Sequence, residues 1–292
     1  MRSPTEPVPP LDPRVNAYRP DLAEAGLTGQ VSAAAFVEGE PAKIAVTATP
    51  IRAEPDDAAM RTSEAIYGER LQCFERKNGW AWVKMAHDGY VGYVRDFALA
   101  PAEGSVTHRI ACPRALLFGE PDLKAPITGW LPLTAAIRIE ETHGDYARLI
   151  GGGWTHTNWI NPIGTPLPDP VATARLFLNA PYGWGGRTAA GLDCSGLVQV
   201  ALAMAGVDCP RDSDQQEAAL GRQLDADEPA QRGDLVFFPG HIGFMADEQN
   251  LLHANATHMA VTIDPLGKVE DTVRTSDSQG RGITSRRRLE MD

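Results

Sequence analysis

The stretch Leu192–Gln199, LDCSGLVQ, decides how the second half of this chain folds. It follows a glycine-rich segment, Tyr182–Gly186 (YGWGG), and leads into an apolar run that reaches Ala205. Asp193 is a typical helix N-cap, so the pattern predicts a helix that begins at Cys194. Unpaired N–H groups and the positive end of the helix dipole favour an anion in the first turn, which makes the thiol a candidate nucleophile if a base lies nearby.

Composition and charge narrow the class of protein. The chain has 292 residues, of which 43% are hydrophobic and 22% charged, as in a soluble globular protein of two or three compact units. A net charge of −11 argues against a nucleic acid partner. The first 30 residues hold no apolar run typical of a signal peptide, and no stretch is typical of a membrane span, so we expect a cytoplasmic protein with no membrane partner.

The cysteines predict neither a metal site nor a disulfide framework. The chain has four, at positions 73, 112, 194 and 209, and none has the CxxC spacing of a zinc knuckle. We therefore expect no metal and no cofactor, and a reducing compartment is the simplest environment for these thiols.

Residues 31 to about 165 alternate in short runs that are typical of β-strands. Ala81–Met85 and Tyr90–Val94 are separated by a turn, and a degenerate version returns as Asp145–Ile150 with Gly153–His156. This repeat predicts two small all-β barrels of roughly 60 residues each and resembles tandem bacterial SH3-like domains. A single larger β-sandwich is the alternative.

Proline-rich segments suggest where the units divide. Asn161–Pro170 contains four prolines and reads as a linker. After it come a short amphipathic helix, Val171–Leu178, a buried helix, Cys194–Ala205, and several strands, which predict an α+β domain. Pro20–Leu27 predicts one short helix in an N-terminal arm. The expected boundaries are 1–30 for the arm, 31–102 and 103–164 for the two SH3-like domains, and 165–292 for the α+β domain.

Two histidines of the last unit are candidates for the base and its partner. His241 opens a strand, and His253 lies twelve residues on, across the polar turn Asp247–Asn250. A tight turn centred on Asp247 would place the two imidazoles opposite each other, whereas a one-residue slip would send one to the other face. With the register held, Cys194, His241 and His253 form a nucleophile, a base and an orienting group.

Taken singly, these residues also have ordinary structural explanations. A cysteine that leads an apolar helix is often only a small buried side chain. A histidine in a strand is often a satisfied polar group, and the pair could instead bind a metal. Tyr182 and Trp184 could be plain core aromatics.

The motifs in combination resemble those of the NlpC-type cell-wall peptidases, which are papain-like cysteine peptidases. The resemblance covers about 170–292. It rests on Tyr182–Gly186, Asp193–Val198, Gly233–Phe238, Gly240–Gly243 and His253–Ala254, in that order. It implies that Cys194 is the nucleophile, His241 the general base and His253 the group that orients it. Tyr182 would line the oxyanion side, beside the backbone N–H of Cys194.

A further motif bears on the substrate. Cys209–Gln216 resembles the Pro-Arg-Asp-Ser-x-x-Gln segment of a branch with SH3-like domains in front, which cleaves γ-D-glutamyl–diaminopimelate bonds in peptides with a free N-terminal L-alanine. The resemblance implies that Asp212 and Ser213 bind the free amine, and that Tyr90 of the first SH3-like domain closes the pocket. Such a charge-assisted pair would reject a blocked amine. Helix capping by Asp212 and Ser213 is a compatible alternative. The other expected substrate contacts, close to the nucleophile in sequence, are Trp184, Asp193 and Ser195.

These observations predict a cysteine endopeptidase that acts through a thioester on peptidoglycan-derived peptides, L-Ala-γ-D-Glu-diaminopimelate, in murein peptide recycling. Two alternatives stay open. One is a wall-binding SH3-like protein with a degenerate peptidase domain, and the other is an acyltransferase or amidase on the same scaffold. The diamino acid and the oligomeric state are also open.

Overall fold

The computed structural model describes residues 11–225 and 227–290, so the first ten residues of the predicted arm lie outside the described residues. The rest of the arm contains β1 (Leu22–Glu24), which pairs in parallel with β2 (Ala35–Val37). One 3₁₀ turn, Ala25–Leu27, follows β1. The helix predicted over Pro20–Leu27 is thus wrong except for this turn, because β1 is held extended by its pairing with β2.

The first β unit is an antiparallel sheet of seven strands in the order β5-β4-β8-β7-β6-β3-β9. Its strands are β3 (Glu40–Ile44), β4 (Ala48–Arg52), β5 (Arg61–Ile66), β6 (Arg70–Lys77), β7 (Trp80–Met85), β8 (Val91–Arg95) and β9 (Leu99–Pro101). In the described structure β5 and β9 do not pair with each other, so the predicted barrel is not closed. A short hairpin of the last unit packs against the edge strand β5, which protects that edge without closure.

The second β unit has a similar succession of strands along the chain. Its strands are β10 (His108–Ile110), β11 (Arg114–Phe118), β12 (Ile127–Pro132), β13 (Ala136–Ile137), β14 (Ile139–His143), β15 (Tyr146–Leu149), β16 (Trp154–His156) and β17 (Ile160–Pro162). In both units a hairpin is followed by a three-stranded meander and a 3₁₀ turn, and the last strand then pairs with the first. Here the strands form sheets of five and three rather than one barrel. The SH3-like identity of this second unit stays a prediction.

The last unit is α+β. Its elements are α1 (Pro170–Arg175), β18 (Arg187–Thr188), β19 (Gly191–Leu192), α2 (Cys194–Met204), α3 (Ser213–Ala219), β20 (Arg222–Gln223), β21 (Leu235–Phe238), β22 (His241–Met245), β23 (Asn250–Asn255), β24 (Ala260–Pro265), α4 (Leu266–Ser276) and β25 (Ser285–Arg288). The antiparallel sheet has the order β20-β25-β21-β22-β23-β24, and α2 packs on β22 and β23. No helix of the described part of the chain is both long and apolar enough to cross a membrane.

The register of β22 and β23 differs by two residues from the one expected. Phe244 pairs with Leu252, so the hairpin is centred on Glu248 rather than Asp247. The reason is that the backbone N–H of Ala246 donates to the carbonyl of Asn250, which leaves a three-residue turn. A two-residue shift keeps every side chain on its face, so the two histidines are diagonal neighbours on the same face rather than directly opposite.

Candidate active site

Backbone capping and two close-packed glycines position the thiol. Cys194 is the first residue of α2, and the Oδ1 of its N-cap, Asp193, accepts the N–H of Gly196 at 2.7 Å. A Cβ at Gly196 would collide with the carbonyl oxygen of Gly186, and one at Gly186 would collide with Gly191. The glycines of the two motifs therefore let the loop lie directly against the start of the helix, with the thiol 7% exposed.

A buried arginine supports this helix start from beneath. Arg211, 1% exposed, donates to Asp193 Oδ2 at 2.7 Å, to Ser195 Oγ at 2.8 Å and to Ser63 Oγ of β5 at 2.9 Å. Asp193 Oδ2 also accepts the N–H of Gly185 at 2.7 Å. Asp193 and Ser195, two of the expected substrate contacts, are buried and bound by protein groups that hold the start of α2, and their contact with substrate stays a prediction.

The two histidines are hydrogen-bonded to each other and to a carboxylate. The Nε2 of His241 lies 2.7 Å from the Nδ1 of His253, and the Nε2 of His253 lies 3.1 Å from Asp264 Oδ2. A carboxylate only accepts hydrogen bonds, so His253 carries its proton on Nε2 and offers the Nδ1 lone pair to His241. His241 then donates through Nε2, and its Nδ1 lone pair is the one left for a thiol proton. Asp264, which no sequence motif identified, thus fixes the tautomer of both rings.

The thiol and the base share one cavity. Cys194 and His241 both line a space of about 650 Å³, together with Tyr182, His253 and Lys268. The backbone N–H next to His241, that of Ile242, donates toward the Cys194 thiol. The structure therefore brings together the nucleophile, base and orienting residue that the motifs predicted, along with Tyr182.

Burial keeps this pair neutral at rest. Burial, reinforced by the nearby Asp193 carboxylate, raises the pKa of the Cys194 thiol to about 12. Burial, together with His253, lowers the pKa of the His241 imidazole to about 3. The resting state is thus a neutral thiol and a neutral imidazole in one cavity, because burial outweighs the helix dipole that was expected to favour the thiolate, and this state suits removal of the proton as the sulfur attacks.

The predicted amine ligands gather in a second region. The Tyr90 hydroxyl lies 3.4 Å from Asp212 Oδ2, and Ser213 is the half-buried first residue of α3. Asp212 occupies the N-cap position of α3, but its side chain makes no capping hydrogen bond. Its carboxylate instead accepts from Arg14 of the arm at 2.9 Å. The structure therefore leaves the capping alternative for Asp212 without support and brings in a cation that sequence reasoning missed.

Burial raises the pKa of the Asp212 carboxyl, although the guanidinium of Arg14 opposes this shift. Trp184, another expected substrate contact, is 59% exposed, and its carbonyl accepts from Arg61 of β5 at 2.6 Å. Its side chain is therefore exposed, and its contact with substrate stays a prediction. In the described ranges, no three His, Cys, Asp or Glu side chains lie close enough together to hold a metal ion.

The first β unit is hydrogen-bonded directly to the loop that precedes Cys194. Arg187, 2% exposed, donates its backbone N–H to Glu64 Oε2 at 2.9 Å and its guanidinium to the Glu64 carbonyl at 2.8 Å. The same guanidinium pairs with Glu69 at 2.9 Å. These contacts join β5 to the segment that precedes the nucleophile.

Comparison with known proteins agrees with this architecture. Residues 179–275 match the NlpC/P60 family, and residues 51–99 match the bacterial dipeptidyl-peptidase SH3 domain. The chain is 28% identical over 238 residues to the gamma-D-glutamyl-L-lysine dipeptidyl-peptidase of Bacillus cereus, covering 70% of each. It is also 28% identical over 240 residues to dipeptidyl-peptidase 6 of Lysinibacillus sphaericus, covering 73% of this chain and 87% of that one.

A solved structure shows the same fold. The crystal structure of an NlpC/P60 family protein from Bacillus cereus superposes with a TM-score of 0.71 at 20% identity, covering 86% of this chain and 99% of the other. The chain therefore carries a bacterial SH3 domain and an NlpC/P60 domain.

Proposed function

We propose that this chain is a cysteine endopeptidase that hydrolyses the γ-D-glutamyl–diamino acid bond of peptidoglycan stem peptides with a free N-terminal L-alanine. The observation that carries the proposal is the hydrogen-bonded relay of His241 and His253 in the cavity that Cys194 lines. The names of the two curated relatives, both dipeptidyl-peptidases, support the same class of reaction.

The reaction proceeds by acyl transfer. His241 takes the thiol proton as the sulfur of Cys194 bonds to the γ-carbonyl carbon of D-glutamate. The C–N bond then breaks, and His241 gives that proton to the departing amine. Water, deprotonated by the same imidazole, cleaves the thioester and restores the thiol. His253 keeps the ring oriented and stabilises the charge that it carries between the two transfers.

The transition-state oxyanion needs donors beside the thiol. The backbone N–H of Cys194 lies in the first turn of α2, where it has no partner within the helix. Tyr182 lines the same cavity, and burial, with the nearby Cys194, raises the pKa of its hydroxyl to about 12. The phenol therefore stays protonated, and the two groups serve as donors.

Asp212, Ser213 and Tyr90 bind the free amine of the L-alanine. A partly buried carboxylate facing an ammonium forms a charge-assisted pair, and an acylated amine carries no charge with which to form that pair. Stem peptides in the intact wall have this amine blocked by an amide bond. We therefore propose that the substrates are released peptides and that the role is murein peptide recycling in the cytoplasm.

The test is turnover of L-Ala-γ-D-Glu-diaminopimelate by the wild type, by Cys194→Ala and by Cys112→Ala as a matched control on another cysteine. We expect the first variant to be inactive with an unchanged melting temperature, and the control to keep full activity. Cleavage by Cys194→Ala at the wild-type rate would overturn the proposal. Equal rates on free and N-acetylated peptide would overturn the amine pocket.

A further inference from the structure

The cavity beside Cys194 extends over α4, away from the proposed amine ligands. Its lining includes Lys268, Thr272 and Ser276 of that helix and the loop residue His258. Tyr90, Asp212 and Ser213 are not among its lining residues. Cys194 lines this cavity, and the cavity has no assigned ligand.

The direction of the reaction decides which part of the substrate enters this cavity. His241 protonates the leaving amine, so the diamino acid must lie on the side of the thiol where the imidazole lies. The imidazoles of His241 and His253 line this cavity. Its volume of about 650 Å³ is in the range of small-molecule sites and exceeds the volume of one amino acid residue.

The charged side chains that line this cavity differ in whether they have partners. Of its two carboxylates, Asp264 is bound by His253 and His258, and Asp277 forms an ion pair with Arg281 at 2.9 Å. Lys268 is exposed, and no carboxylate in the described ranges lies within ion-pair distance of its ammonium. The chain has a net charge of −11, yet Lys268 presents an ammonium without a carboxylate partner to a cavity of substrate size.

We propose that Lys268 binds the side-chain carboxylate of the leaving diamino acid, so that the enzyme prefers diaminopimelate to lysine. The two residues differ chemically by that terminal carboxylate, which only diaminopimelate carries. A lysine ammonium at the same place would face Lys268 and gain nothing from it. This inference rests on the proposed function and names the specificity of that site.

The experiment compares three peptides that share L-Ala-γ-D-Glu and end in meso-diaminopimelate, in diaminopimelate amidated at its side-chain carboxylate, or in L-lysine. We expect the wild type to favour the first by at least tenfold in kcat/KM. Lys268→Met should lose this preference through a rise in KM for the first peptide alone, with the other two within twofold of wild type. Lys268→Arg should retain most of the preference, and Lys124→Met, an exposed lysine of the second β unit, should match wild type.

The results distinguish a failure of the Lys268 proposal from a failure of the proposed function. An equal loss on all three peptides in Lys268→Met, or a wild type that treats them alike, overturns the role of Lys268 while the peptidase stands. A wild type that cleaves none of the three overturns the proposed function, and this inference falls with it.

Discussion

Replacing Asp264 by Asn tests the proton relay without changing its shape. The amide keeps the size of the carboxylate but can donate, so its NH₂ can turn toward His253 Nε2. His253 would then carry its proton on Nδ1, and His241 would have to accept it through Nε2. The remaining proton of His241 would sit on Nδ1, so this tautomer could not accept the thiol proton, and only the fraction of molecules that keeps the original tautomer would react.

The magnitude follows from the bond that is removed. A hydrogen bond to a charged group contributes about 1.5–3 kcal/mol, and each 1.36 kcal/mol is tenfold in rate. The carboxylate of Asp264 is 23% exposed and acts through His253, so we expect the lower part of that range, about a tenfold fall in kcat or somewhat more. KM should change less than kcat, because Asp264 acts through His253 on the proton transfer.

The assay is steady-state turnover of the free tripeptide, with the melting temperature of each variant as the check on folding. Asp271→Asn, an exposed carboxylate of α4, is the matched control and should leave both parameters unchanged. A kcat for Asp264→Asn within twofold of wild type would refute the tautomer argument. So would a fall in kcat that is matched by an equal loss in the control.

Three further changes probe the surroundings of the site. Gly243→Ala would place a Cβ 2.9 Å from the His253 Cβ, so we expect a loss of about 1–3 kcal/mol in the free energy of unfolding and a lower kcat. An unchanged denaturation midpoint would contradict this. Arg211→Met leaves a buried carboxylate unpaired, and chemical denaturation should show a loss of about 3–5 kcal/mol; a loss below 1 kcal/mol would contradict the buried pairing. Arg14→Gln removes one of the two cations, with Arg211, that oppose the raised pKa of Asp212, so the fall of kcat/KM on acidification should begin at a higher pH than in wild type. An identical pH profile would contradict the contact.

The sequence alone was sufficient where the signal is local. A capping aspartate, a following apolar run and a glycine-rich approach specify α2, and the structure begins that helix at Cys194 as predicted. The pairing of His241 with His253 was correct in face and wrong by two residues in register. The face of the sheet on which a side chain lies follows from the alternation along a strand. The register between two strands depends instead on turn length, which the polar residues between the strands do not specify.

The remaining parts of the site depend on contacts between distant segments. Asp264 lies eleven residues after His253 in a strand without a recognisable motif, and only the sheet brings the two side chains together. Arg211 lay within a quoted motif, yet its burial beneath Asp193 depends on a loop returning under α2. Arg14 is 198 residues from Asp212 in the chain. No periodicity or spacing rule connects such residues.

The site is assembled across units, and buried charges explain why. Arg187 and Arg211 are nearly fully buried guanidinium groups of the NlpC/P60 domain, and both donate to groups of β5: Arg187 to Glu64 and Arg211 to Ser63. Separating the two units would leave both buried guanidinium groups without these acceptors, so the loop that precedes Cys194 and β5 hold each other in place. Because the same unit supplies Tyr90, the position of the proposed amine pocket relative to the thiol is set by the packing that stabilises the start of α2.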